Sequence, residues 1–140
     1  MIQGVFTFKD RMGQEIHIYR SRNAYPVNVY ELIRHAYCYA WPLPRFEPGD
    51  IAAGLVRHCK DSAIKGDVKI LPSGSWMLVA PQESRYRYVV THADPADTEL
   101  TVQCFTVYWD DVSGHWCERE IFSGLLSLFG QWAVKERDST

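Results

Sequence analysis

From residue 67 to residue 121 the apolar residues recur at every second position, in runs separated by only three to five residues of turn chemistry. Asp67 to Leu71, Ser75 to Ala80, Tyr86 to Ala93, Glu99 to Trp109 and His115 to Ile121 read as strands. Pro72-Ser73-Gly74, Pro81-Gln82-Glu83-Ser84, Asp94-Pro95-Ala96-Asp97 and Asp110-Asp111-Val112-Ser113-Gly114 separate them. A parallel crossover needs roughly a dozen residues or more, so connections this short specify antiparallel neighbours. Gly4 to Phe8 and the alternating Glu15 to Arg20, joined by a polar segment with Gly13, read as a further hairpin. Ile16, Ile18 and Arg20 point to one face of it, and Glu15, His17 and Tyr19 to the other.

Between these blocks the rhythm changes. Val29, Leu32, Ile33, Ala36, Tyr37 and Ala40 follow helical spacing, and Pro42 and Pro44 stop that helix at about Trp41. Asn28 with Glu31 three residues on makes an N-x-x-E capping box, with Val27 and Leu32 as its hydrophobic staple. A second helix follows Asp50, carries Ala52, Leu55, Val56, Cys59 and Ala63, and stops near Gly66. A third, capped by Ser123, shows Leu125, Leu128, Phe129 and Trp132 on one face. The chain of 140 residues thus reads as a single α+β domain, residues 1–140. The expectation is a mainly antiparallel sheet with an N-terminal hairpin, two central helices packed on the sheet and a C-terminal helix.

Charge is unevenly spread. Residues 1–46 hold six basic against three acidic residues, whereas residues 47–140 hold nine against fourteen, within a formal net charge of -2. A basic front favours an anionic partner there, or head-to-tail association. A pI of about 6.2 places nucleic acid last among partners. Apolar stretches fall short of the roughly 18 residues a membrane helix needs. Cys38, Cys59, Cys104 and Cys117 form no C-x-x-C pair, and Met1 to Arg11 shows no secretory pattern, so a reducing, cytoplasmic setting with free thiols is expected.

The most suggestive segment is Tyr19-Arg20-Ser21-Arg22-Asn23-Ala24-Tyr25-Pro26, which leads from a strand into the first helix. Helix N-termini attract anions, arginine offers a bidentate fork, and tyrosine offers a stacking face. Tyr30, Arg34 and Trp41 recur on the helix side away from the apolar stripe. The ligand-binding expectation therefore names Tyr19, Arg20, Arg22, Tyr25, Tyr30 and Arg34. The run Tyr19-Arg20 to Tyr25-Pro26 resembles a segment, Y-R-x-W-D-G-Y-P, of small bacterial and phage-type proteins of unassigned function. There it likewise joins an early hairpin to a helix. Arg22, Asn23 and Ala24 stand where those proteins have Trp, Asp and Gly. The resemblance implies a small accessory protein, as from a mobile element.

Motifs for catalysis are sparse: no G-x-S-x-G, P-loop, G-x-G-x-x-G or H-E-x-x-H pattern occurs. His115 and Cys117 share a strand face, which is half of a zinc site, with His58-Cys59 or Asp110-Asp111 needed to complete it. No metal or cofactor is expected. Asp110-Asp111 reads as turn chemistry, and Cys38, three residues from His35, as a core thiol. Five tryptophans, eight tyrosines and six phenylalanines exceed the needs of one small core. Trp109, Trp116 and Tyr108 flank one hairpin, so that hairpin or the terminal helix is expected to make a homo-oligomer. The leading expectation is a non-enzymatic small binding protein for a bacterial partner protein or an anionic, nucleotide-like ligand. An inhibitor of host defence carried by a phage or mobile element fits that description. The alternative is a small hydrolase or nucleotide-processing enzyme using His and Asp/Glu.

Overall fold

In a computed structural model of the chain, described at residues 2–61, 68–72 and 84–139, six strands form one sheet with the helices on one face. The order along the chain is β1 (Gly4–Lys9), β2 (Glu15–Arg20), α1 (Pro26–Cys38), α2 (Pro48–Asp61), β3 (Val68–Ile70), β4 (Tyr86–Thr91), β5 (Thr101–Asp110), β6 (His115–Leu125) and α3 (Leu126–Asp138). This is the expected α+β architecture. The strand at Ser75 to Ala80 and the stop at Gly66 lie outside the described residues.

The spatial order β3-β2-β1-β4-β5-β6 holds one departure from the antiparallel expectation. Strands β1 and β4 run parallel, Gly4 opposite Tyr86 and Phe8 opposite Val90, so the sheet is mixed. The hairpin β1–β2 and the meander β4–β5–β6 read from the sequence are present, but β3, read as the first strand of that meander, pairs antiparallel with β2 at the opposite edge of the sheet. Hairpin and meander join side by side through a long connection containing α1 and α2, and only such a connection permits a parallel pair. Strand β1 becomes central and is buried from Gly4 to Phe8.

Turn chemistry holds the hairpins. The Asp10 carboxylate accepts the Met12 and Gln14 N–H groups, 2.9 Å each, while Gly13 takes φ +88°. Asp110 accepts the Val112 N–H at 3.1 Å in the β5–β6 turn, which gives that aspartate the turn role expected of it.

Helix starts depart from the sequence reading in a consistent way. Helix α1 begins at Pro26, with Tyr25 as an extended N-cap residue (ψ 147°) and no side-chain cap. Proline at the first helical position has its φ preset and lacks an N–H that would go unused, and it holds the preceding residue extended. Asn28 therefore lies inside the first turn, not at the cap. The helix ends at Cys38, three residues short of Trp41. Helix α2 starts at Pro48 for the same reason, and Asp50 accepts the Trp41 N–H instead, at 2.7 Å. Helix α3 is not capped by Ser123, which lies within β6. Its Ser127 N–H and hydroxyl both donate to the Glu99 carboxylate, 2.9 Å each, so the cap comes from 28 residues away.

The main core lies between sheet and helices and includes Phe6, Phe8, Ile18, Ile33, Leu55, Tyr88 and Phe129. On α3 the buried residues are Leu126, Phe129, Gly130 and Ala133, whereas Leu128 is 51% exposed. Cys59 and Cys104 are buried thiols outside any disulfide. Cys38 is exposed, contrary to the core position expected of it, because the apolar stripe of α1 runs through Leu32, Ile33 and Ala36 and leaves residue 38 on the solvent side.

Candidate functional site

The six residues of the sequence-derived site separate into different environments. Along β2 side chains alternate between faces, so Tyr19 and Arg20 cannot share one. Tyr19 packs with Val5, Leu71 and Val107 on the face away from the helices, and Lys69 Nζ lies 5.3 Å from its ring centre. Arg20 is only 8% exposed. Its Nε donates to the Arg22 carbonyl at 2.7 Å and its Nη1 lies 2.9 Å from Cys59 Sγ, so it ties the loop after β2 to helix α2. Tyr30 packs against the core, its ring on Gly130 of α3, where a Cβ would come within 2.6 Å of it. Arg34 is exposed, 5.8 Å from the Tyr30 ring and 3.8 Å from Glu31. Arg22 is half-buried in the loop. Trp41 lies beyond α1 under Arg45, 4.0 Å from ring centre to guanidinium.

Tyr25, 44% exposed, is the member of the set that lines a cavity of about 480 Å³. With Pro26 and Val27 it brings the N-terminus of α1 to the cavity wall. Arg85 and Tyr86 enter from the start of β4, and Ile121 from β6. Trp132, Glu136 and Arg137 come from successive turns of α3. Trp132 is held in place by Phe122 and Phe129, with ring centres at 5.1 and 5.9 Å. Burial pushes the Tyr86 phenol above its ordinary range, with Arg85 opposing, so it stays a neutral donor. The Arg85 guanidinium lies 5.7 Å from the Tyr86 ring. Among the described residues the cavity wall thus combines three aromatic side chains, two guanidinium groups, one carboxylate and a helix N-terminus. The size of the cavity falls within the usual range of ligand pockets.

Signals for this site existed in Tyr25-Pro26 and in Arg85-Tyr86, but nothing local links either to Trp132 or Arg137. They meet only because β4 lies beside β1 and α3 packs on α1.

A second cavity, of about 410 Å³, opens on the other face of the sheet, lined in part by Lys9, Arg11, Glu15, Arg87 and Phe105. Beneath it runs a polar chain across four strands. Arg87 Nη1 contacts both Glu118 oxygens (3.0 and 3.3 Å), and Arg87 Nε donates to the Thr7 hydroxyl at 3.2 Å. Thr7 lies 2.8 Å from His17 Nδ1, and His17 Nε2 lies 3.2 Å from Glu15. Burial lowers the His17 pKa from its ordinary 6.5; Glu15 opposes the shift and Arg87 adds to it. The neutral ring then carries its proton on Nε2, facing the carboxylate, and Nδ1 accepts the Thr7 O–H.

A folded-state pKa below the unfolded one means the unfolded chain takes up the proton first. Stability is therefore full above pH 6.5 and falls as the pH drops below it. Urea unfolding at pH 7.5 and pH 5.5 is expected to show a smaller acid-side loss in His17→Gln than in the parent. Equal losses would remove His17 from the acid sensitivity.

Among the described residues no group of three His, Cys, Asp or Glu side chains could hold a metal ion, and no helix is long and apolar enough to cross a membrane. No protein-family model, curated protein or solved structure matches the chain.

Proposed function

We propose that the chain is a non-enzymatic binding protein whose ligand is a small, planar, nucleotide-like anion held in the cavity between α1, α3 and β4. One observation carries the reading: aromatic faces, guanidinium groups and a helix N-terminus share the wall of one 480 Å³ space. Tyr25, Tyr86 and Trp132 suit a flat ring, Arg85 and Arg137 suit a phosphate or carboxylate, and Glu136 can accept from an amino or hydroxyl group. Binding is favoured over catalysis because the described residues of the wall include a single carboxylate and neither His nor Cys, and so supply no acid–base pair and no activated nucleophile. A bacterial partner protein, a cytoplasmic setting and service as an inhibitor of host defence belong to the same proposal, and rest on the Tyr19 to Pro26 resemblance and the four thiols outside any disulfide.

Calorimetry against a panel of nucleoside mono- and diphosphates tests the ligand. Arg85→Ala is expected to weaken the best binder by about 1–3 kcal/mol as a charged contact is lost. Trp132→Phe, which keeps the ring packing, should change affinity less than Arg85→Ala and should abolish any ligand-induced quenching of Trp132 fluorescence. Unaltered affinity in Arg85→Ala would reject the site.

One observation favours the enzymatic alternative: His17 meets Glu15 beside the 410 Å³ cavity. Both ring nitrogens of His17 are engaged and the residue is 5% exposed, which suits a structural link better than a general base. Hydrolysis of a nucleotide or ester that disappears in His17→Gln, with the fold retained, would reverse that preference.

A further inference from the structure

Strand β6 is 11 residues long and ends the sheet among the described residues. The direction of its backbone groups follows from its neighbour. The Val107 N–H donates to the Arg85 carbonyl at 2.8 Å and so faces β4. In an antiparallel ladder, Val107 and its partner Glu118 are then a non-hydrogen-bonded pair, and the N–H and C=O of Glu118 face outward. By alternation Trp116 and Glu120 do the same. The side chains of these three residues stand on the face away from the helices. Trp116 makes a T-shaped contact with the exposed Trp109 (5.5 Å), Glu118 meets Arg87 and Glu120 meets Gln103 at 3.1 Å.

An edge of this length that pairs with no further strand among the described residues is a template for another strand. A second copy is a poor occupant. Two-fold registers centred on Glu118, Arg119 or Glu120 set Glu118 against Glu118, Glu118 against Glu120 or Glu120 against Glu120, and like charges directly opposite are unfavourable. Residues 110–120 contain four acids and one arginine, within the acidic rear of the chain. We propose that β6 is a docking edge for an extended basic peptide, which adds as a seventh strand. Two Lys or Arg residues, two positions apart, face Glu118 and Glu120, and an apolar residue two positions further lies on Trp116. This site is independent of the cavity between α1 and α3.

The probe is a fluorescein-labelled 12-residue peptide carrying Lys-Thr-Lys-Thr-Leu, whose antiparallel pairing sets the lysines on Glu120 and Glu118 and the leucine on Trp116, compared with one of the same composition whose lysines are adjacent. The alternating peptide is expected to bind more tightly, and Glu120→Lys to weaken it about fivefold or more. Hydrogen exchange provides a readout that charge alone does not move: the Trp116, Glu118 and Glu120 amides should slow on peptide addition. The Arg85→Ala variant should bind the peptide as the parent does. Equal binding of both peptides, or unchanged exchange at the three amides, would overturn the proposal. Slowing of the same amides with rising protein concentration in the absence of peptide would overturn it in favour of self-pairing.

Discussion

Phe129→Ala is expected to lower the unfolding free energy by about 3–5 kcal/mol, the usual cost of removing a fully buried aromatic ring. Phe129 is 0% exposed and is the ring through which α3 reaches the sheet. It meets Tyr88 of β4 edge-on at 6.0 Å and Phe122 of β6 at 5.5 Å, and it supports Trp132 at 5.9 Å. Its loss leaves a void against three rings that are themselves anchored. Tyr88 is fixed by its hydroxyl, which donates to the Ala24 carbonyl, so little collapse into the space is available. Urea denaturation reads the change directly, and Phe129→Leu, which refills most of the volume, should cost distinctly less. A loss below about 1 kcal/mol for Phe129→Ala would mean that α3 is held mainly by other contacts. Because Trp132 lines the α1–α3 cavity, the same substitution should also loosen that wall, so ligand affinity is expected to fall with stability.

The second large effect lies on the opposite face. Arg87→Met is expected to cost about 2–3 kcal/mol, since it withdraws charged donors from Glu118 and Thr7 together. Arg87 and Glu118 are 14% and 26% exposed at their side chains, shielded enough for the pair to count, and Thr7 is fully buried. Most of the cost is the penalty of a carboxylate left without its partner. The double variant Arg87→Met, Glu118→Leu should therefore recover a good part of the loss, whereas independent contributions would make the double variant worse than either single one. Denaturation of the three variants at pH 7.5 distinguishes these outcomes. Thr7 keeps its contact with His17 in either case, which limits the damage to one end of the chain.

Much of this architecture was legible because it is written locally. The period-two runs of β5 and β6, the helical stripe of α1 and the Asp10 and Asp110 turns each depend on residues a few positions apart. The alternation in β2 was enough to place Ile18 on the helix side and His17 and Tyr19 on the other. Prolines displaced the expected helix starts for an equally local reason: Pro26 and Pro48 outweigh Asn28 and Asp50 as start signals.

The site was legible only in part. Tyr25 could be singled out because it precedes a helix, but grouping it with Tyr19 and Arg20 used nearness in sequence where strand alternation sends those two to opposite faces. Arg20 looked like a ligand contact and is instead an internal tie, since what surrounds a guanidinium depends on where α2 lies.

The sequence by itself determined the kinds of the described elements, their order and which residues of each strand share a face, because those follow from backbone periodicity and turn stereochemistry within a few residues. Only the tertiary structure decided that β1 and β4 pair in parallel, that Glu99 caps α3 and that Tyr25, Arg85 and Trp132 line one cavity. Each of these joins groups far apart along the chain, and such contacts are selected by the burial of the whole core and not by any local preference.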